Sequence, residues 1–534
     1  MSDRTPLKDR VRSALLDGIA VLNQHPVIFF GLVALAGMAA YRIYAVGLGV
    51  EMGFPLDDAW IHQTYARSLA RSGQFAFVPG QPSAGSTAPL WTWLITIGYF
   101  LRLPYAGWTL FLGWISLTAA AWGAWRLCTR LFPGRPALAL AAGSFCAAEW
   151  HLVWAAVSGM ETALFCALAV IILSLAVENP LPARKALVAG LLGGALTLTR
   201  PEGVVLVALV GADLWASWLQ RRARRGLKGM LMASLMLFAG WLAGAVPFLM
   251  LNILLAGSPF PNTFYAKQIE YSSIASTYPL LTRWLRVLYP TTAGAQILLV
   301  PGFLWSVVQA VRHSLSRWQG KELPAEGPAS ALPMLYWLLF GIIYALRLPV
   351  NYQHGRYLMP IIPLYIVLGM GGTALLLERL RSGYFRRLLQ NALLWAGLLL
   401  TIGFIVLGAR AYTDDLRFIN GKMVAVARWI NAHTPENALI AAHDIGAIGY
   451  FTQRPLLDLA GLISPEVIPI LRDEDALWEW LTAHGAQYLV TFPSWYPRMT
   501  TRPELEQVFQ TDSAFTRAYG EDNMVVYRIR SAGR

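Results

Sequence analysis

The sequence predicts a polytopic α-helical membrane protein of about eleven transmembrane helices, followed by a C-terminal extracytoplasmic α/β domain. Three observations carry that expectation. Long apolar runs fill positions 27 to 410 of the 534 residues. The chain is 56% hydrophobic and only 14% charged, whereas a soluble domain of ordinary composition carries about 25% charged residues. Basic residues recur in short clusters between alternate apolar runs, which is how a membrane protein encodes its orientation. The net charge of +13 is therefore read as topology, and no nucleic-acid partner is expected. Cys128, Cys146 and Cys166 lie inside apolar segments without metal spacing and are read as packing residues. Met1 to His25 is polar and basic, and the apolar run after it lacks a small-residue cleavage site, so no cleavable signal peptide is expected.

Spans need about 20 apolar residues. They are expected at roughly 27–47, 105–127, 136–156, 162–178, 186–199, 203–219, 230–255, 291–311, 331–346, 358–377 and 391–410. The basic loops hold Arg4, Lys8, Arg10 and Arg12; Arg126, Arg130 and Arg135; Arg184 and Lys185; Arg221, Arg222, Arg224, Arg225 and Lys228; Arg312, Arg317 and Lys321; and Arg379, Arg381, Arg386 and Arg387. With these inside, the N-terminus is cytoplasmic and the C-terminal domain lies outside the inner membrane. Residues 89–103 are apolar, but as a helix they reach only ~22 Å, short of the ~30 Å hydrocarbon core. They are expected as a juxtamembrane or re-entrant helix on the outer face, with Trp91 and Trp93 at the interface. The alternative, a short tilted span, would reverse the sidedness of the Arg126 and Arg221 clusters.

The chain thus divides into a membrane module, 1–411, with a first outer loop at 49–87, and a soluble domain, 412–534. In the latter, helices are expected at 423–432 and 473–484, and strands at 438–442, 455–459, 487–492 and 524–529. Asp444-Ile-Gly446-Ala-Ile-Gly449 lacks dinucleotide-loop spacing, so its glycines are read as turns. His443 and Asp444 follow a strand end, where a structural role is the plainer reading.

Polar residues that apolar helices do not need gather in the outer loops: Asp57, Asp58 and His62; Glu161; Arg200 and Glu202; Asn262, Tyr265 and Lys267; His354, Arg356 and Tyr357. Ionisable groups at membrane depth are costly and point to function. Asp57, Asp58, Glu161 and Glu202 suit a base or a metal, and Arg200, Lys267 and Arg356 suit a phosphate. Structural readings stand beside these. Asp57 and Asp58 could cap the helix they open, Arg200 and Glu202 could pair across Pro201, Lys267 could be an exposed loop lysine, and His62 and His354 suit packing better than catalysis.

The run Asp57-Asp58-Ala-Trp-Ile-His-Gln-Thr-Tyr65-Ala66-Arg67, with Gly73 beyond it, resembles the first outer loop of the GT-C superfamily of integral-membrane glycosyltransferases. Ser158-Gly-Met-Glu-Thr162, Thr199-Arg-Pro-Glu-Gly203, Pro261-Asn-Thr-Phe-Tyr-Ala-Lys267 and Arg356-Tyr-Leu-Met-Pro360 are similar to the branch containing the actinobacterial cell-wall terminal arabinofuranosyltransferases. The resemblance covers the whole chain, though this one is shorter than those enzymes, which leaves its sugar open. It implies an inverting transfer of arabinofuranose or a hexose such as mannose from a polyprenyl-phosphate donor. The acceptor would be a cell-envelope glycan, lipid or protein on the outer face, with membrane lipids as partners. Asp58, placed as in lipid A aminoarabinose transferases and oligosaccharyltransferases, is the implied base, with Asp57 its competitor and Glu161 assisting. Arg200, Lys267 and Arg356 would hold the donor phosphate. His62, Glu202, Asn262, Tyr265, His354 and Tyr357 would line the substrates. Members differ in metal use, so a divalent cation near Asp57 and Asp58 stays open. The rival reading is a transporter or flippase of lipid-linked sugars, which would need polar residues along a path through the membrane. A non-catalytic envelope scaffold is disfavoured by so many charges at one face.

Overall fold

The computed structural model of the protein describes residues 17–178, 181–220, 227–271, 277–319, 327–328, 330–512 and 522–530, and each expected span falls on helical segments. Among the described residues, six helices are long and apolar enough to cross a bilayer, or seven if the bent pair Pro136–Ala148 and Trp150–Val157 is one span. Thr162–Ala176 and Leu332–Arg347 are shorter apolar helices. The expected Arg4, Lys8, Arg10, Arg12, Arg221, Arg222, Arg224, Arg225 and Lys321 lie outside the described residues, as does the side chain of Arg317.

Local chemistry sets the joints of this bundle. The 50° bend between Pro136–Ala148 and Trp150–Val157 falls at Glu149, whose carboxylate accepts the Leu152 N–H at 2.9 Å and so caps the second half. Helices Ala183–Thr199 and Leu227–Ala256 pack through small residues four apart. A Cβ on Gly194 would come within 2.8 Å of the Gly244 Cα, and one on Gly240 within 2.6 Å of the Leu187 carbonyl oxygen. By contrast, the Gly383–Ile419 helix leaves Leu394, Trp395, Leu399, Ile402 and Val406 more than half exposed, an apolar surface that calls for lipid.

The first loop is a compact structure rather than a flexible link. Asp57–Ser72 is helical, ends on the left-handed Gly73 (φ 70°), and leads to the short hairpin Ala76–Val78 and Gln81–Pro82. Pro89–Phe100 then forms a 12-residue helix, about 18 Å long and too short to span. Trp91, expected at an interface, is instead buried, and its indole N–H donates to the Gly159 carbonyl at 2.8 Å.

The expected boundary at 411/412 falls inside the Gly383–Ile419 helix, which continues through a wide turn at Asn420–Val424 into Ala425–His433. A five-stranded mixed sheet follows, in the order Leu456–Asp458, Ile440–Ala442, Tyr488–Thr491, Val525–Ile529, Leu505–Gln510. The first three strands run parallel and the last two are antiparallel additions. Leu505–Gln510 was not expected as a strand. The glycines read as turns are helical instead: Gly446–Thr452 packs on the Asp57–Ser72 helix, where Gly446 meets Asp57, and on the hairpin beyond it, where Gly449 meets Phe77. Their missing side chains permit this close approach.

Candidate active site

Two cavities meet where the membrane module touches the sheet domain. The first, about 320 Å³, is lined by Asp58, His62, Glu161, Arg200, Glu202, Lys267, Arg356 and Tyr357, together with the apolar Val204, Val205, Phe260, Phe264, Ile343 and Leu348. Segments that are far apart in sequence therefore deliver eight of the expected site residues to one chamber with both polar and apolar lining.

Asp57 and Asp58 open a helix whose first turn favours negative charge. Asp58 Oδ2 is ion-paired to Arg356 Nη2, and Lys267 Nζ lies 4.0 Å away. Burial alone would raise the Asp58 carboxyl, but Arg356 and Lys267 outweigh it and hold the group well below the usual carboxylate range. Burial would likewise lower the Lys267 ammonium, yet Tyr357, Tyr352 and Asp58 keep it well above its ordinary value. Asp57 turns the other way. Its two oxygens accept the Gly446 and Ala447 N–H groups at 2.7 and 2.8 Å, while burial pushes its carboxyl up to about 6 against those bonds.

Glu161 sits between two apolar helices, only 3% exposed. Burial opposes its charge, but His62 (3.6 Å) and Arg200 (3.4 Å) hold its carboxyl down at about 2. Arg200 also donates to Glu202 at 3.0 Å and to the Tyr344 hydroxyl at 2.9 Å, and Tyr344 in turn bonds Glu202. The Tyr357 hydroxyl accepts from Lys267 Nζ (2.9 Å) and Arg356 Nη2 (3.1 Å), and its ring lies under the Arg200 guanidinium with 4.6 Å to the centroid. Arg356 is 3% exposed, and its Nε and Nη1 are buried without a hydrogen-bond partner. Three successive left-handed residues, Gln353 (φ 54°), His354 (φ 57°) and Gly355 (φ 67°), bring it there. Strain of this kind persists where surrounding structure fixes it.

The second cavity, about 620 Å³, lies between the sheet domain and the membrane module. Asp58, Ile61, Lys267, Arg356 and Leu462 line both cavities, so Asp58 stands in the wall between them. Asp57 lines only the second.

Asn262, Tyr265 and His354 line neither cavity. Asn262 donates to the Leu462 carbonyl at 3.1 Å, tying the 262–270 helix to the sheet domain. His354 bonds Asp415 at 2.7 Å and packs edge-on against Trp154, and Tyr265 packs on Phe264. Tyr344 and Arg347, unnoticed in the sequence, line the first cavity. Their spacing of three puts them on one face of the Leu332–Arg347 helix, and Arg347, a basic residue at an end where the charge alternation calls for none, was the readable signal.

The residues do not form a divalent-cation site as arranged. Backbone N–H groups occupy both Asp57 oxygens and two cations flank Asp58. Among the described residues no three His, Cys, Asp or Glu side chains stand together as a ligand set.

The architecture is the GT-C fold of integral-membrane glycosyltransferases. ArnT from Cupriavidus metallidurans superposes in its apo state with a TM-score of 0.56 and 14% identity, covering 94% of this chain and 98% of its own. Its complex with undecaprenyl phosphate superposes at 0.53 and 15%, over 94% and 97%. The Archaeoglobus fulgidus oligosaccharyltransferase AglB, in complex with an inhibitory peptide and a dolichol-phosphate, aligns at 0.56 and 13%, over 87% of this chain and 69% of its own. The mycobacterial arabinofuranosyltransferase AftD aligns at 0.48 and 14%, over 95% and 40%, too loosely to bear on the sugar. A family described as a domain of unknown function, DUF8728, matches residues 407–527. A search of curated proteins finds no match.

Proposed function

We propose that this chain is an inverting glycosyltransferase of the inner membrane, moving a sugar from a polyprenyl-phosphate donor to an acceptor hydroxyl at the outer face. The observation that carries the reading is Arg356. A buried guanidinium with two unpartnered nitrogens, beside Lys267 and Arg200 in a half-apolar chamber, suits an anionic headgroup on a lipid. The bound lipids of the structural neighbours, undecaprenyl phosphate in ArnT and dolichol-phosphate in AglB, support the same donor class.

In this reaction the acceptor oxygen attacks the anomeric carbon as the bond from that carbon to the phosphate oxygen breaks. Asp58 takes the hydroxyl proton, and polyprenyl phosphate leaves with the negative charge. Arg356, Lys267 and Arg200 stabilise that charge where it develops. The ion pairs of Asp58 in the free protein make it a weak base. An arriving phosphate competes for Arg356 and Lys267, and as their hold loosens the Asp58 proton affinity rises. Glu161 keeps Arg200 and His62 oriented. The sugar is arabinofuranose or a hexose such as mannose, and the acceptor a component of the cell envelope.

The test is sugar release and transfer from polyprenyl-phosphate arabinofuranose, mannose, glucose and galactose by the protein in lipid nanodiscs, beside Asp58→Asn. Turnover of one donor that vanishes in the variant is expected. Movement of donor across the bilayer without bond cleavage would replace the transferase by the flippase reading.

A further inference from the structure

We infer that the second cavity is the acceptor site and that it takes a neutral, hydroxyl-rich glycan, stacked on Trp495 and bonded by Asp444 and Gln353. The inference rests on the transferase reading and adds the acceptor's chemical class. At about 620 Å³ the cavity falls within the roughly 300–1,000 Å³ common for small-molecule sites. Its shared wall with the first cavity puts an occupant beside Asp58.

The lining selects the chemistry. Trp495 lines this cavity and is 46% exposed, its ring steadied edge-on by His443 at 4.8 Å between centroids and, tilted, by Phe492 at 4.9 Å. An open aromatic ring held in place is a platform for the C–H face of a sugar. Asp444 Oδ2, from the sheet domain, and Gln353 Oε1, from the membrane module, are both buried without a hydrogen-bond partner and both belong to residues lining the cavity. Buried polar atoms are normally satisfied, so these two ask for a ligand with hydroxyl groups. Burial, with Asp57 and Asp58 nearby, holds the Asp444 carboxyl well above its ordinary range, which lets it donate as well as accept.

Charge excludes the acidic alternatives. Asp57, Asp58 and Glu270 line the cavity beside the protonated Asp444, against Lys267 and Arg356. Both cations are engaged with Asp58 and the Tyr357 hydroxyl. With the donor phosphate holding Lys267 and Arg356 from the first cavity, a uronate or phosphorylated glycan would bring its charge against carboxylates.

The test is equilibrium binding to the full-length protein in nanodiscs of neutral manno-, gluco- and arabino-tetraose, with tetragalacturonic acid as the acidic probe. At least one neutral probe should bind, the acidic one about tenfold more weakly, and Trp495→Ala should weaken the neutral probe about fivefold while Trp495→Phe restores it. Equal or tighter binding of the acidic probe, no binding of any neutral one, or an unchanged Trp495→Ala would overturn the inference. Binding of undecaprenyl phosphate to the same sample is read separately. Glycan binding without lipid binding would sink the transferase reading and leave the glycan site standing; lipid binding without glycan binding would do the reverse.

Discussion

Asp57 and Gly446, 389 positions apart, share one contact: the Gly446 N–H donates to Asp57 Oδ2 at 2.7 Å, and a Cβ on Gly446 would lie 2.0 Å from the Asp57 carbonyl oxygen. This is where the sheet domain fastens onto the helix that carries Asp58. Gly446→Ala forces the two apart, and overpacking of this kind costs about 1–3 kcal/mol. The variant should lose protease resistance near the 420–424 turn and lose turnover together. Wild-type stability with wild-type turnover would show that the sheet domain does not set the site.

Asp57→Asn and Asp58→Asn separate the two neighbours. Asp57→Asn keeps one acceptor for the Gly446–Ala447 pair, so it should weaken domain docking and retain part of the turnover. Asp58→Asn removes the proposed proton acceptor and should lower turnover by about 10²–10⁴-fold. Undecaprenyl phosphate binding should hold or tighten in that variant, because Arg356 and Lys267 lose a competing carboxylate. The reverse ranking of the two variants would make Asp57 the base.

Much of this site was legible in the sequence because the membrane made it so. Against apolar helices, Glu161, Arg200 and Arg356 stand out as residues that nothing in packing requires, and all three reach one chamber. Partners across long separations were not legible. The spacing of Gly446 and Gly449 spoke for turns, and only the fold shows that each glycine admits a close neighbour, Asp57 for one and Phe77 for the other. His354, a packing residue by its own chemistry and a substrate residue by the resemblance, bonds Asp415 and lines neither cavity. The strand Leu505–Gln510 is only partly buried at the sheet edge, so its sequence lacks a strong apolar alternation.

Arg200 and Glu161 test whether charge balance or donor binding dominates at the buried end of the first cavity. Arg200→Gln strands Glu161 with His62 alone, and breaking a buried pair from one side costs about 3–5 kcal/mol. Glu161→Gln with Arg200→Gln should recover most of that stability by thermal unfolding. Donor-lipid affinity should stay low in the double variant, because the cation is still missing. Recovery of affinity along with stability would remove Arg200 from the phosphate site.

His443 gives the sheet domain an acid sensitivity. Burial holds its imidazole down at about 4, against about 6.5 for an unperturbed histidine. Between those values the unfolded chain binds the proton and the folded chain does not. The contribution is therefore fully present above pH about 6.5 and is lost as pH falls through about 4. Asp57 and Asp458, each raised by burial to about 6, act with the opposite sign: the folded state holds their protons longer, so they add stability as pH falls below about 6. The net slope of the wild type mixes these terms, but the difference between wild type and His443→Gln isolates the histidine. Thermal midpoints measured from pH about 7 to about 4.5 should show the variant gaining on the wild type as pH falls. Parallel curves would mean that His443 takes up its proton in the folded protein, with the Tyr496 hydroxyl, 2.8 Å from Nδ1, accepting the added N–H.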